Sequence, residues 1–401
     1  MSIETVVIVG AGHAAPDAIS TLRRADWQGK IILIGDEPHL PYQRPPLSKA
    51  YFSDEVEQDR LVIRNHAFYQ KNEVELKLGQ RVESIDRNKS CVVLEGGEQV
   101  SYTKLVLATG TRARLLPVTG IESVNAHYLR TIDDVDAIKE NLNDNTKLLI
   151  VGAGYIGLEL AASAVKPISK EQDSGSKEHQ RQVTVLESMD RVLARVTGEE
   201  VSNFYQDLHR QAGVDIRLNA SLAEFQKSDG KQYALMADGE KIEFDVLVVG
   251  IGVLPNSELA EQAGIECDNG IVVNEYTQSS DKNIYAIGDV SNHPNAIYQT
   301  RLRLESVPNA TGQAKVAASH ICGKDITHNQ LPWFWSDQYD VKLQTAGLFQ
   351  GYDETQVQGD VEQQKFSVSY FKEGKLIAID ALNSPADFMK AKKRIVEDLS
   401  G

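Results

Sequence analysis

Short, nearly continuous apolar runs alternate along this chain with stretches of helical length. The run VVIV at positions 6–9 breaks into GAGHAA, and LLIV at 148–151 breaks into GAGYIG. Each is followed by an alanine-rich segment and then by a second apolar run, KIILIGD at 30–36 and QVTVLE at 182–187. Runs so rich in β-branched residues predict strands buried on both faces of a parallel sheet. The alanine-rich segments 11–22 and 156–165 predict helices. Strand, glycine loop, helix and strand therefore occur twice, which predicts an α/β chain with two Rossmann-like units.

A dinucleotide loop needs glycine for three separate reasons: a tight turn, close approach of backbone to pyrophosphate, and close packing of helix on strand. The helix N-terminus then faces the phosphates, and an acid at the end of the second strand binds a ribose. The second copy supplies all four, as Gly152, Gly154, Gly157 and Glu187, with Tyr155 and Ile156 inside the loop. The first supplies Gly10, Gly12 and Asp36, but Ala15 stands at the third glycine and Pro16 follows. Alanine still permits fairly close packing, and proline is tolerated in a first helical turn, where its missing donor has no partner to lose. One such motif is a weak signal; two in matching context predict two dinucleotide sites. Between the second loop and Glu187 lies an extra polar segment, 166–182, which reads as a solvated loop.

Length changes the picture by requiring several domains, since 401 residues exceed one ordinary core. A formal charge of −15 repels nucleic acid and anionic membrane alike. No apolar run reaches bilayer length and Glu4 stands where a secretory signal carries a base, so a cytoplasmic location is expected. Cys91, Cys267 and Cys322 are scattered, which argues against a disulfide framework, a zinc site or any other metal centre, and a redox dithiol.

Four further blocks refine the reading. LVLATG at 105–110, containing Ala108, Thr109 and Gly110, and DVLVVGIG at 245–252, ending on Gly252, are strand-to-glycine exits suited to passing the chain between domains. NIYAIGD ends on Asp289, and ESVPNA at 305–310 opens a helix beyond it. Together these blocks resemble the two-dinucleotide flavoproteins. With PYQRPPLSKAY at 41–51 and PWFWSDQY at 332–339, the chain most resembles the putidaredoxin reductase and dioxygenase ferredoxin reductase family over nearly its whole length. The resemblance implies an FAD domain at 1–115 and 245–325, an NAD domain at 116–244, and a smaller α+β domain at 326–401 closing over the flavin. It implies FAD contacts at Ala14, Asp36, Lys49, Val82, Arg130, Asp289 and Val307, with Trp335 beside the isoalloxazine.

The implied chemistry is hydride transfer from NADH to FAD, then single electrons to a [2Fe–2S] ferredoxin that feeds a cytochrome P-450 or a ring-hydroxylating dioxygenase. Such a reaction is mainly positioning plus electrostatics. A cation near the flavin N5 stabilises the reduced ring; Lys49 is the candidate, and by resemblance Glu159 pairs with it. Glu187 favours NADH, because a 2′-phosphate would lie against a carboxylate. The same core would also serve an NADH oxidase or quinone reductase, or a redox-sensing flavoprotein similar to apoptosis-inducing factor. The absent C-x-x-C disfavours a disulfide reductase, the WFW block favours ferredoxin, and the acidic charge disfavours the sensor.

Overall fold

The computed structural model describes residues 4–165 and 181–400. Its first sheet is parallel, in the order Ile284–Ala286, Lys104–Leu107, Thr5–Val9, Lys30–Gly35, Val74–Leu78. The second is also parallel, in the order Asp215–Arg217, Gln182–Leu186, Lys147–Val151, Val246–Val249, Ala126–Tyr128. In both, the strand that runs into the glycine loop sits at the centre, flanked by the strand that ends near the acid and by a returning strand. The apolar runs are continuous because both faces of each sheet are covered: Val6, Val7, Ile8, Leu148, Leu149 and Ile150 are all buried.

The helices begin slightly later or earlier than the composition suggests. The first is Ala14–Arg24, since Ala11 to His13 are used by the turn, and the second is Tyr155–Ala164. Pro16 falls in the first turn of its helix, where no intrahelical bond is lost. Of the polar segment, 166–180 lies outside the described residues, while Arg181 is buried and Gln182 already opens a strand.

The strand Val246–Val249 hydrogen-bonds to Lys147–Val151 and to Ala126–Tyr128, so it belongs to the second sheet and not to the first domain. The chain returns only after it, where Val253–Pro255 pairs with Thr111–Ala113. Asn256 stitches the two exits together: its amide donates to the Thr109 carbonyl at 2.8 Å while the Thr109 hydroxyl donates to its carbonyl at 2.8 Å.

The C-terminal unit is α+β: an antiparallel sheet of Trp333–Gln338, Val341–Gly347, Lys375–Leu382, Lys365–Lys372 and Glu354–Asp360, backed by the helix Pro385–Ser400. Its core is continuous with the second nucleotide unit, since Leu343, Phe366 and Tyr370 join Ile150, Leu158 and Val185 in one buried cluster. The strand Trp333–Gln338 is thereby laid against the helix that leaves the second glycine loop. Among the described residues no helix is long and apolar enough to cross a membrane.

Candidate functional site

Both glycine loops have the local geometry that the sequence predicts, and each glycine meets a different constraint. Gly10 has φ +110°, and a Cβ there would sit 2.1 Å from the Ala108 carbonyl oxygen. Gly152 repeats this with φ +108° and the Gly250 oxygen at 2.4 Å. A Cβ at Gly12 or Gly154 would meet nothing within 4 Å, which leaves open space over each helix N-terminus. At Gly157 a Cβ would collide with the Gly152 oxygen at 2.0 Å, the close helix packing that the third glycine permits. The first copy tolerates a methyl there, since Ala15 is wholly buried in the core.

A cavity of about 530 Å³ opens over the first loop, within the range of sites that enclose a cofactor. Gly10, Gly12 and Ala14 line its floor, Asp36 one end, and Ala108, Thr109 and Gly110 one wall. Asp36 is exposed there, with its carboxylate available to a ribose. Arg130, Asp289 and Val307 line the middle, and Lys49, Glu159, Tyr155, Ile156, Phe334 and Trp335 the far end. Seven expected residues are not on it. Ala15 is buried within the first turn of its helix, and Gly252 sits at the crossover with φ +100°. Gly152, Gly154, Gly157 and Glu187 form the second loop, which reaches the cavity through Tyr155 and Ile156. Val82 has its side chain buried in the core of the first unit, off the cavity lining.

The cavity lining mixes both signs of charge, with Arg44, Lys49, Arg112 and Arg130 standing among Asp36, Glu37, Asp134, Glu159, Asp289 and Glu305. Arg44 pairs with Glu37 at 2.6 Å and donates to the Arg130 carbonyl at 2.6 Å. Burial draws the Arg130 guanidinium down while Asp289, at 3.3 Å, supports its charge. Asp289 Oδ2 also accepts from the Thr111 hydroxyl at 3.4 Å; both contacts are long, which leaves it acceptor capacity for a hydroxyl. His13, between the first glycines and the helix, is pulled down to about 4 by burial and then by Arg44, so it is neutral near pH 7. The helix Val307–Ile321 starts at the cavity, capped by the Ser306 hydroxyl accepting from Asn309 N at 3.3 Å, and brings the Val307 N–H to the site.

At the far end the expected pair is formed: Lys49 Nζ lies 2.6 Å from Glu159 Oε2, and Glu159 is 4% exposed. A buried pair holds together only when further hydrogen bonds offset the desolvation. Ser48 Oγ donates to Oε2 at 2.6 Å and Ser336 Oγ to Oε1 at 2.6 Å. Above them the rings of Tyr155 and Phe334 lie 4.6 Å apart, joining the second loop to the C-terminal sheet.

Glu187, just past the strand Gln182–Leu186, is itself positioned. Glu187 Oε2 accepts from Ala153 N at 2.8 Å and Oε1 from Met189 N at 3.0 Å, which ties it to the glycine turn. Nearby cations are committed elsewhere. Arg191 donates to the carbonyls of Thr197 and Ala194 and to the Ser202 hydroxyl, at 2.8, 3.0 and 2.6 Å. Arg217 is held between Asp215 and Glu240 at 2.8 and 2.5 Å.

Sequence reasoning missed His13, Arg44, Asn256 and Ser336. Arg44 and Ser336 stood inside quoted blocks, but nothing local marks which block residues face the cavity; Asn256 carries no sequence signal.

Two similar parallel sheets, each presenting a glycine loop toward one shared cavity, define an α/β class that brings two dinucleotides together. The chain belongs to the pyridine nucleotide-disulphide oxidoreductase family, whose model matches residues 4–314, with a reductase C-terminal domain over residues 333–400. It is 40% identical over 402 residues to putidaredoxin reductase CamA of Pseudomonas putida, covering 99% of this chain and 92% of that protein. Its structure is similar to the reductase in the covalent putidaredoxin reductase–putidaredoxin complex, with a TM-score of 0.91, 40% identity and 98% and 93% of the two chains covered. It is also similar to the ferredoxin reductase for the CYP199A2 system from Rhodopseudomonas palustris, with a TM-score of 0.92, 38% identity and 98% and 95% covered.

Proposed function

We propose that this protein is a cytoplasmic, FAD-dependent NADH:ferredoxin oxidoreductase that supplies a [2Fe–2S] ferredoxin serving a cytochrome P-450 or a ring-hydroxylating dioxygenase. The observation that carries the reading is the meeting of the two loops: the second reaches, through Tyr155 and Ile156, the cavity floored by the first. The residues present fit FAD. Open space at Gly12 over a helix N-terminus suits a pyrophosphate, exposed Asp36 a ribose, Asp289 a ribityl hydroxyl, and the Val307 N–H the polar edge of the ring. FAD supplies a two-electron acceptor that releases electrons singly.

The chain's own residues do the rest. Gly152, Gly154 and Glu187 hold the NADH, with Glu187 on the adenine ribose. Tyr155, Ile156 and Phe334 exclude water from the reacting edge. Lys49, steadied by Glu159, offers a cation where negative charge grows, which favours the reduced state over the oxidised one. Trp335 lies on the cavity wall within the WFW block, where we place the exit toward the ferredoxin. The domain partition proposed from the topology is a discontinuous FAD unit, an NAD unit extending through Val249, and the C-terminal unit.

Turnover of the purified protein with NADH and, separately, ferredoxin, quinone or oxygen tests the reading. Ferredoxin is expected to be the fastest acceptor. A quinone or oxygen rate exceeding every ferredoxin tried overturns it.

A further inference from the structure

Glu159 is anchored from farther away than its immediate partners. On the strand Trp333–Gln338, residues Ser336 and Gln338 project to the same side, toward the second nucleotide unit. Ser336 Oγ donates to Glu159 Oε1 at 2.6 Å, and Gln338 Nε2 donates to Ser336 Oγ at 3.2 Å. Gln338 Oε1 lies 2.8 Å from His209 Nε2, and the other ring nitrogen lies 3.0 Å from the Tyr339 hydroxyl. Ser336, Gln338 and His209 are all buried at the seam between the second nucleotide unit and the C-terminal sheet.

One carboxylate dictates the direction of every bond in this series. The Ser336 proton is committed to Glu159, so Ser336 accepts from the amide nitrogen of Gln338. The amide oxygen then faces His209, which must carry its proton on Nε2, leaving Nδ1 to accept from Tyr339. Burial keeps the His209 ring neutral, drawing it down to about 4. All the donors point toward Glu159, and successive bonds of one polarity strengthen one another in a low-dielectric setting. An amide in the middle transmits this polarity but carries no proton through, so the chain is an anchor and not a proton path.

We propose that Ser336, Gln338 and His209 are positioning residues for flavin reduction, a single-polarity hydrogen-bond chain that fixes the Glu159 carboxylate and, through it, Lys49 Nζ. The inference rests on the flavin reading above. It makes the placement of Lys49 depend on the docking of the C-terminal sheet against the helix Glu199–Gln211, which carries His209.

The test uses the FAD-loaded enzyme with Gln338→Met, His209→Phe and Tyr339→Phe, each also made in a Lys49→Met background. The flavin midpoint potential is read alongside the rate of reduction by NADH. Gln338→Met and His209→Phe should each weaken the preference for reduced flavin about tenfold, a fall of about 30 mV for a two-electron couple. Tyr339→Phe, which removes the outermost donor, should shift it in the same direction by less. In the Lys49→Met background these shifts should vanish, because the chain acts through that lysine. Unchanged potentials overturn the proposal, as do equal shifts in both backgrounds, which would mark a packing defect. A measurement on the wild type needs no variant to fold: the ¹⁵N spectrum of His209 should show a neutral ring protonated at Nε2. A proton on Nδ1 reverses the polarity and overturns the proposal. If the FAD-loaded wild type reduces no ferredoxin, the functional reading fails instead, and the His209 spectrum still decides the chain.

Discussion

Replacing Glu187 by alanine tests ribose recognition at the nicotinamide site, and comparing the two donors cancels the accompanying loss of its bond to the glycine turn. The carboxylate already accepts from Ala153 N at 2.8 Å, Met189 N at 3.0 Å and the Ser188 hydroxyl at 3.3 Å. A carboxylate has about four lone-pair positions, so capacity remains for ribose, and the exposed Ser188 hydroxyl is free to turn away. A hydrogen bond to a charged group contributes roughly 1.5–3 kcal/mol, so kcat/KM for NADH should fall about 10- to 100-fold. For NADPH the same change removes a repelling carboxylate, and the loss should be small or reversed. The donor ratio therefore falls at least about tenfold. It should not invert, because a 2′-phosphate needs a free cation while Arg191 and Arg217 are held by four acceptors and two carboxylates respectively. The assay is steady-state kcat/KM for both donors with a ferredoxin or dye acceptor, in wild type and variant. A wild-type preference for NADPH, or an unchanged ratio in Glu187→Ala, refutes the reasoning.

Acid precipitation should release free FAD into the supernatant, since every contact proposed for the cofactor is non-covalent; FMN, or flavin retained in the pellet, counts against the site. Asp289→Ala should weaken FAD binding by about 1–3 kcal/mol, read as the dissociation constant of the reconstituted protein, because it removes the acceptor proposed for a ribityl hydroxyl; an unchanged constant removes that role. Stability should fall as pH drops below the ordinary histidine range. Burial lowers His209, His293 and His328 from 6.5 to about 4, 3 and 4, so between those values and 6.5 the unfolded chain binds more protons than the folded one. Stability therefore rises with pH across that window, by up to about 1.4 kcal/mol per pH unit for each ring. Denaturation midpoints measured from pH 7 to pH 4 check this, and a flat profile contradicts it.

The sequence made the nucleotide loops legible because their constraints are local. Gly10 and Gly152 need a positive φ, Gly12 and Gly154 need space, and Gly157 needs a missing side chain, all within a few residues of one another. The Lys49–Glu159 pair, by contrast, came from resemblance, since no spacing rule links residues so far apart. Which sheet the 246–249 run joins was not legible, because a buried run such as VLVV fits either parallel sheet; hydrogen bonding to Lys147–Val151 decides it. Val82, expected as a contact from resemblance alone, has its side chain in the core of the first unit, a placement with no local signal. His13, Asn256 and the His209–Gln338 bond were invisible because each depends on a partner brought close by tertiary packing alone. The polar segment expected to be a loop falls mainly at 166–180, outside the described residues.

The central claim is that one cavity takes a hydride from NADH and passes electrons singly to an iron–sulfur partner. Its most direct test is an anaerobic titration of the FAD-loaded protein with NADH in the presence of excess oxidised [2Fe–2S] ferredoxin, following the ferredoxin spectrum. The account predicts reduction of two ferredoxins per NADH consumed, dependent on FAD and lost in the apoprotein. NADH oxidation that leaves every ferredoxin in the panel oxidised, or ferredoxin reduction that persists without FAD, would contradict it.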